Sequence, residues 1–251
     1  MKRYNRRFYA YQRDQSRLSA QVIVPLVIDL IRPESVIDVG CGTGAWLSVF
    51  RDHAVEDVHG VDGSWVDPDM LLIPAERFSS ADLKKPLPVN RQFELVVSLE
   101  VAEHIPAEGA GGFVDSLTAL GPVVLFSAAI PGQGGTHHVN EQWPEYWAGL
   151  FKDRGYVCID CIRSAVWQND RVEWWYAQNT LLFVRESHLK QHPRLFPELL
   201  ATRHDQLSLV HPKQYLLARK QNSSPLQSAV SSLPPRIARC ARSLLATLMS
   251  Q

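Results

Sequence analysis

The run Asp38-Val39-Gly40-Cys41-Gly42-Thr43-Gly44 constrains this chain more than any other stretch, because three alternating glycines stand between an apolar segment and a helical one. Ser35-Val36-Ile37-Asp38-Val39 reads as a short buried strand, and Ala45-Trp46-Leu47-Ser48-Val49-Phe50 runs in helical rhythm. Glycines at this junction let the backbone turn sharply at the carboxyl end of the strand and let a ligand lie against bare main chain. Asp62 ends the next strand, 18 residues after Gly44, where a carboxylate accepts hydrogen bonds from ribose hydroxyls. The pattern predicts a site for an adenosine-type ligand.

Strand and helix signals alternate through the body of the chain. Strands are expected at 35–39, 55–61, 93–99, 123–127, 156–162 and 180–185, with a polar edge at 78–83 and helices at 45–50, 112–120 and 144–154. This alternation, with strands apolar on both faces, predicts an α/β fold: a doubly wound, mostly parallel, Rossmann-like sheet. A helical segment at 1–32, with a stripe through Leu18, Val22, Leu26 and Leu30 and a stop at Pro33, precedes the core domain at 33–187. A helical extension follows at 188–251, broken at Pro193, Pro197 and Pro212, with linker-like composition at 221–235. Its last segment, 236–251, reads as a basic amphipathic helix for docking or homodimer formation, the rival being contact with a membrane surface or a partner.

Composition narrows the class. No apolar run approaches the roughly 18 residues needed to span a bilayer, and the basic N-terminus lacks the apolar core of an export signal. Four cysteines, at 41, 158, 161 and 240, are too few and scattered for a disulfide scaffold, so a cytoplasmic location is expected. Cys158 and Cys161 form a C-x-x-C within a strand-like run that points them to opposite faces, which argues against a zinc or redox pair. Net charge is zero, yet residues 1–20 carry six Lys/Arg against one Asp, and 188–251 carry nine against two acids. The body, 21–187, is left with 11 bases and 23 acids. A body this acidic repels phosphate backbones, so no nucleic-acid partner is expected and a small-molecule acceptor is.

Taken together, these motifs resemble those of the class I S-adenosylmethionine-dependent methyltransferases. The resemblance covers roughly 30–187 and rests on 36–44, on Gly60-Val61-Asp62, on Ser80-Ala81-Asp82-Leu83 and on 93–105. It implies that Asp38, Gly40, Gly42 and Gly44 hold the methionine end of S-adenosylmethionine, Asp62 the ribose and Asp82 the adenine amino group. Ser98 to Glu100 would face the inner side of the cofactor, with Gly63 and Leu83 completing the set. A hydride-transfer enzyme of related fold wants a third glycine at the position held here by Leu47, which sets that rival aside.

A second constellation, Glu100-x-x-Glu103-His104, is followed by His137-His138 in the glycine-rich stretch 130–143. Both segments fall at carboxyl ends of expected strands, the edge where α/β sheets place their sites. Two chemistries suit them. A histidine, His137, His138 or His104, takes the proton of the acceptor, or Glu100, Glu103, His104 and His137 hold a magnesium or manganese ion that acidifies it. The E-x-x-E-H step resembles that of ubiquinone-pathway O-methyltransferases and, with a later histidine, that of metal-dependent enzymes acting on the 2′-hydroxyl at small-RNA ends. The plainer reading has Glu103 and His104 brace the following loop. His138 and Glu141 share one face if a helix begins early.

Tyr146, Trp147 and Phe151 fall at core spacing on the helix at 144–154. Trp167, Trp174, Trp175 and Tyr176 lie among polar residues and read as a hairpin insertion at the rim. There they stack on a flat acceptor or sugar ring, or else form rim packing or a dimer contact. The expected function is methyl transfer to a hydroxyl of a polar small molecule, such as a sugar or decorated natural product. Its rivals are an amine acceptor, a metal-dependent RNA-terminal 2′-O-methyltransferase and a non-catalytic cofactor-binding assembly subunit.

Overall fold

The computed structural model describes residues 6–222 and the isolated positions 233, 234 and 237, and side chains within the long first stretch from 14 to 219. The chain divides into two compact units, Met1–His211 and Pro212–Gln251. In the second, helix α8 (Pro212–Asn222) runs two residues into the stretch read as a linker. The amphipathic segment at 236–251 and its proposed contacts lie outside the described residues, apart from Ile237.

In the first unit, seven strands form one sheet: β1 (Ser35–Val39), β2 (Asp57–Asp62), β3 (Phe78–Ser80), β4 (Leu95–Leu99), β5 (Val123–Ser127), β6 (Tyr156–Ile159) and β7 (Leu181–Arg185). Their spatial order is β3-β2-β1-β4-β5-β7-β6. All neighbours pair in parallel except β7, which runs antiparallel to both β5 and β6. The polar edge expected at 78–83 is thus a three-residue strand, followed by turn residues. The chain winds outward from β1 to β3 and then returns to the other side of β1, so a crevice opens between the carboxyl ends of β1 and β4.

Period-two alternation divides the core between the two faces of the sheet. On one face Val36, Leu95, Val97 and Leu125 pack with α1 (Arg6–Ile31), α2 (Ala45–Asp52), α5 (Arg163–Val166), α6 (Trp174–Asn179) and α7 (Leu195–Ala201). On the other, Ile37, Val96, Val124 and Phe126 meet α3 (Ala110–Leu120) and α4 (Pro144–Lys152). Helix α3 turns Ala110, Phe113, Val114 and Leu117 inward at the spacing of one helical stripe. Cys158 and Cys161 fall in opposite core clusters and are both buried, so they make no pair. Trp147 and Phe151 are core residues, as their spacing predicts.

The rim insertion differs from the expected hairpin. Between β6 and β7 the chain forms two short helices, α5 and α6, and Tyr176 is buried against Trp46 with ring centroids 5.1 Å apart. Apolar side chains at 172, 176 and 177 give this stretch a helical inner face, which polar neighbours obscure in the sequence. Arg163 locks the insertion down. Fully buried, it forms a two-pronged pair with Asp160 (2.9 and 2.7 Å) and donates to the carbonyls of Gln178 (3.2 Å) and Leu207 (2.6 Å). Replacing Arg163 by alanine strands two buried carbonyls and the acid, so urea unfolding should show a loss of about 3–5 kcal/mol. A loss below about 1 kcal/mol would mean that water replaces the guanidinium.

Candidate active site

The glycine loop after β1 is shaped by three left-handed residues, Gly40 (φ 88°), Gly42 (φ 52°) and Gly44 (φ 77°), the last being the N-cap of α2. Their glycines serve different ends. A Cβ at Gly40 would lie 2.3 Å from the Val101 side chain, so Gly40 is required by the close approach of the loops after β1 and β4. A Cβ at Gly42 would meet no protein atom within 4 Å, which leaves that backbone bare toward the crevice. Asp62, at the end of β2, fixes the loop by accepting N–H groups from Gly42 (2.7 Å) and Gly63 (2.6 Å). Burial raises its carboxyl pKa, and those N–H groups with the Trp65 indole oppose the rise. Trp65 is 64% exposed and its ring lies over Gly63, where a Cβ would be only 2.1 Å away.

Asp38 lies buried within β1, and its carboxyl is pushed well up by burial and then by Asp62. Such an acid favours a cationic neighbour, and the bare backbone at Gly42 leaves room for one beside it. Ser98 is fully buried and donates to the carbonyl of Val39 (2.9 Å), bracketing β4 to β1. Asp82 stands in the turn after β3, where its carboxylate accepts the Lys84 N–H (3.1 Å), and Leu83 is buried in the core.

After β4 the chain kinks at Glu100, a non-glycine residue in the left-handed region (φ 56°) held by the carbonyl and hydroxyl of Ser127, both at 3.0 Å. Its carboxylate accepts from Gln133 (2.7 Å) and Asn179 (3.0 Å), and Gln178 and Asn179 also donate to the Gln133 carbonyl oxygen. Burial raises the Glu100 pKa against these bonds. Gln133, Gln178 and Asn179 thus surround a candidate site residue, and sequence reading missed them. Amides carry no charge pattern, and only the position of Gln133 between two glycines marks it.

One turn further, Glu103, His104 and His138 converge, with one potential ligand atom from each lying within 4.8 Å of the others. The two imidazoles meet edge to face, with centroids 5.0 Å apart. Glu103 is 1% exposed; its own N–H and that of Ala129 approach the carboxylate without closing a well-formed bond, and burial followed by Glu100 drives its pKa well up against them. His138 Nε2 lies 3.8 Å from Glu103 Oε1, and its Nδ1 lies 2.9 Å from Glu141 Oε1. His104 Nδ1 lies 3.2 Å from the carbonyl of His137, and burial lowers the pKa of that ring. His137 thus enters the cluster through its main chain (φ 64°), and Glu100 belongs to the neighbouring amide network instead. The Glu103 carbonyl accepts N–H groups of Val139 (2.9 Å) and Asn140 (3.0 Å), so the same residue also braces the loop. Gly135 faces the His138 ring: a Cβ there would sit 2.2 Å from Nε2.

The residues present fit both kinds of group that the site invites. Bare glycine backbone beside buried Asp38 and Asp62 suits a cationic adenosine-type cofactor, and two imidazoles beside an orphaned carboxylate suit a divalent ion.

A family model described as a methyltransferase domain matches residues 5–199. No functionally curated relative matches the sequence. The fold is similar to that of magnesium protoporphyrin IX methyltransferase from Synechocystis PCC 6803 with bound SAH. The TM-score is 0.51 and the identity 20%, over 70% of this chain and 84% of that one. It is also similar to the sugar N-methyltransferase KedS8 from Streptoalloteichus sp ATCC 53650 (TM-score 0.51, 16% identity, 67% of this chain and 87% of that one). Human N-acetylserotonin methyltransferase in complex with SAM gives a TM-score of 0.51 at 13% identity, over 71% of this chain and 55% of that one. With the glycine loop, the acidic strand ends and the strand order in place, the chain belongs to the methyltransferase-domain family and is a class I S-adenosylmethionine-dependent methyltransferase.

Proposed function

We propose that this methyltransferase acts on a hydroxyl of a polar small molecule, such as a sugar or a decorated natural product. The observation that carries this reading is the meeting of Glu103, His104 and His138 just beyond Val101, the residue that touches the glycine loop. A neutral hydroxyl is a weak nucleophile and must lose its proton as it attacks, whereas a neutral amine needs no such help. Both imidazoles give their Nδ1–H to acceptors, His104 to a carbonyl and His138 to a carboxylate, which leaves each Nε2 able to take a proton. S-adenosylmethionine supplies a methyl group already activated on sulfur, so the chain has mainly to align the partners and manage that proton.

Polarity at the rim supports the acceptor class. A groove of about 650 Å³, lined by Ser164, Ala165, Trp167, Gln168, Asn169 and Asp170, lies along α5 and the turn after it. Since β6 runs parallel to β5, α5 follows the same carboxyl edge of the sheet as the site. An indole edged by amides and an acid suits a hydroxylated ring.

A second reading is favoured by the orphaned oxygens of Glu103. Glu103, His104 and His138 would hold a divalent ion such as manganese, which when bound stabilises an acceptor alkoxide directly.

Three measurements test these readings. Gly42→Leu should fold but lose calorimetric binding of S-adenosylhomocysteine, while Gly40→Ala should lose stability through its overlap with Val101; equal binding by Gly42→Leu and the wild type removes the assigned cofactor site. Against a panel of hydroxylated acceptors, His138→Ala should lower turnover roughly 10²–10⁴-fold with cofactor binding intact. Gly135→Ala should reproduce much of that loss by displacing the ring. Under the base reading chelator changes nothing; under the metal reading chelator abolishes turnover and manganese restores it. Full activity of His138→Ala with chelator present overturns both.

A further inference from the structure

We infer that Glu141 is a positioning residue that sets the tautomer of His138 and holds the glycine-rich loop over the site; the inference rests on the reading that His138 Nε2 is the working atom. Glu141 gathers three donors on two oxygens. Gly132 N–H reaches Oε2 at 2.7 Å, and Gly134 N–H at 2.8 Å and His138 Nδ1 at 2.9 Å both reach Oε1. Both glycines are left-handed (φ 80° and 70°), which turns their N–H groups toward one point and makes a small anion-binding concavity around the carboxylate. The loop from Ile130 to Glu141 is therefore closed on itself by one side chain.

The chemical consequence follows from what a carboxylate can do. It only accepts, so the shared hydrogen must sit on Nδ1, and neutral His138 presents an unprotonated Nε2. That nitrogen lies 3.8 Å from Glu103 and packs against the main chain of Gly135, where the missing side chain makes room for the ring. Free histidine prefers the opposite tautomer, with hydrogen on Nε2, in which this nitrogen could neither take a proton nor bind a metal. Glu141 thus acts through His138 under either reading of the site, in the way outer carboxylates orient ligating or proton-accepting histidines. The loop has other anchors, in the Val139 and Asn140 N–H groups on the Glu103 carbonyl and in Gln133 on Glu100, which keep it in place when Glu141 is changed.

The test needs neither acceptor nor metal. In the full chain with S-adenosylhomocysteine bound, ¹⁵N NMR at mildly alkaline pH should show a protonated Nδ1 and a bare Nε2 for the His138 ring, assigned by its disappearance in His138→Gln. Glu141→Ala should reverse that pattern, speed exchange of the Gly132 and Gly134 amides by about tenfold or more, and leave S-adenosylhomocysteine affinity unchanged. Glu141→Gln keeps an oxygen for Nδ1 but brings an amide N–H against the loop. It should rescue the tautomer while the glycine amides still exchange faster, a separation that a purely structural brace would not give. A wild-type ring with hydrogen on Nε2, or a tautomer indifferent to Glu141→Ala, overturns the inference; should that variant not fold, unchanged glycine exchange in Glu141→Gln overturns it. Because the spectrum is read without methyl transfer, its failure is distinct from failure of the proposed reaction, which turnover alone decides.

Discussion

The close approach of Gly40 to Val101 sets the geometry on which the rest of the site depends. A doubly wound sheet offers its crevice where neighbouring strands send their chains to opposite sides, and here those strands are β1 and β4. The loops that leave them can meet only if one side surrenders its side chain; glycine at 40 does so, with Val101 filling the space. Ser98 fastens the same two strands from below by donating to the Val39 carbonyl. With that spacing fixed, the left-handed kink at Glu100 turns the chain so that Glu103 and His104 follow within one turn, under the loop that carries His138.

Much of this frame was legible in the residues because its causes are local. The alternating glycines, the β-branched strands and the acid at 62 each answer a short-range requirement, and β1 and β5 fall where their apolar runs end. Helix α3 was legible from 112 on, where 113, 114 and 117 are self-contained, while its first turn at 110 was not. What escaped depends on distant partners. Nothing near Tyr176 tells that Ser16 of α1 and Trp46 lie against it, so the sequence reads as a polar hairpin where the chain buries a helical face. The choice between two adjacent histidines was half legible: His138 and Glu141 do pair, but in the loop before α4 rather than on an early helix turn. It is made by Glu141 and Glu103, one three residues away and the other 35, which together draw the ring of His138 into the cluster.

Glu103 shows how stability and chemistry are set against each other. A carboxyl withdrawn from water without good hydrogen bonds costs on the order of 1–3 kcal/mol, and this one has Glu100 and Glu141 as further acidic neighbours. A core built only for stability would place an apolar side chain there. The cost is tolerated where the surrounding structure over-determines the position, and here the Glu103 main chain is clamped by Val139 and Asn140 while its side chain is enclosed. Burial among acids leaves this carboxylate with more to gain from a proton or cation brought beside it than an exposed one has.

The cofactor half of the site follows the same logic with a clear sign. Asp38 and Asp62 both have carboxyl pKa values raised by burial, so between the unfolded and folded values the native chain binds more protons than the unfolded one. Stability from these groups is therefore present at low pH and lost as pH rises through the carboxylate range. At neutral pH the crevice holds acids whose charge the fold disfavours. A ligand with a sulfonium and an ammonium reverses that sense, because an opposite charge a few ångströms away favours the ionised carboxylate. A cofactor placed beside Asp38 would thus return on binding some of the free energy that burial of the acid withholds from the fold. With the cofactor placed beside Asp38 as the resemblance implies, its neutral-sulfur product would gain less from that carboxylate, since it lacks the sulfonium.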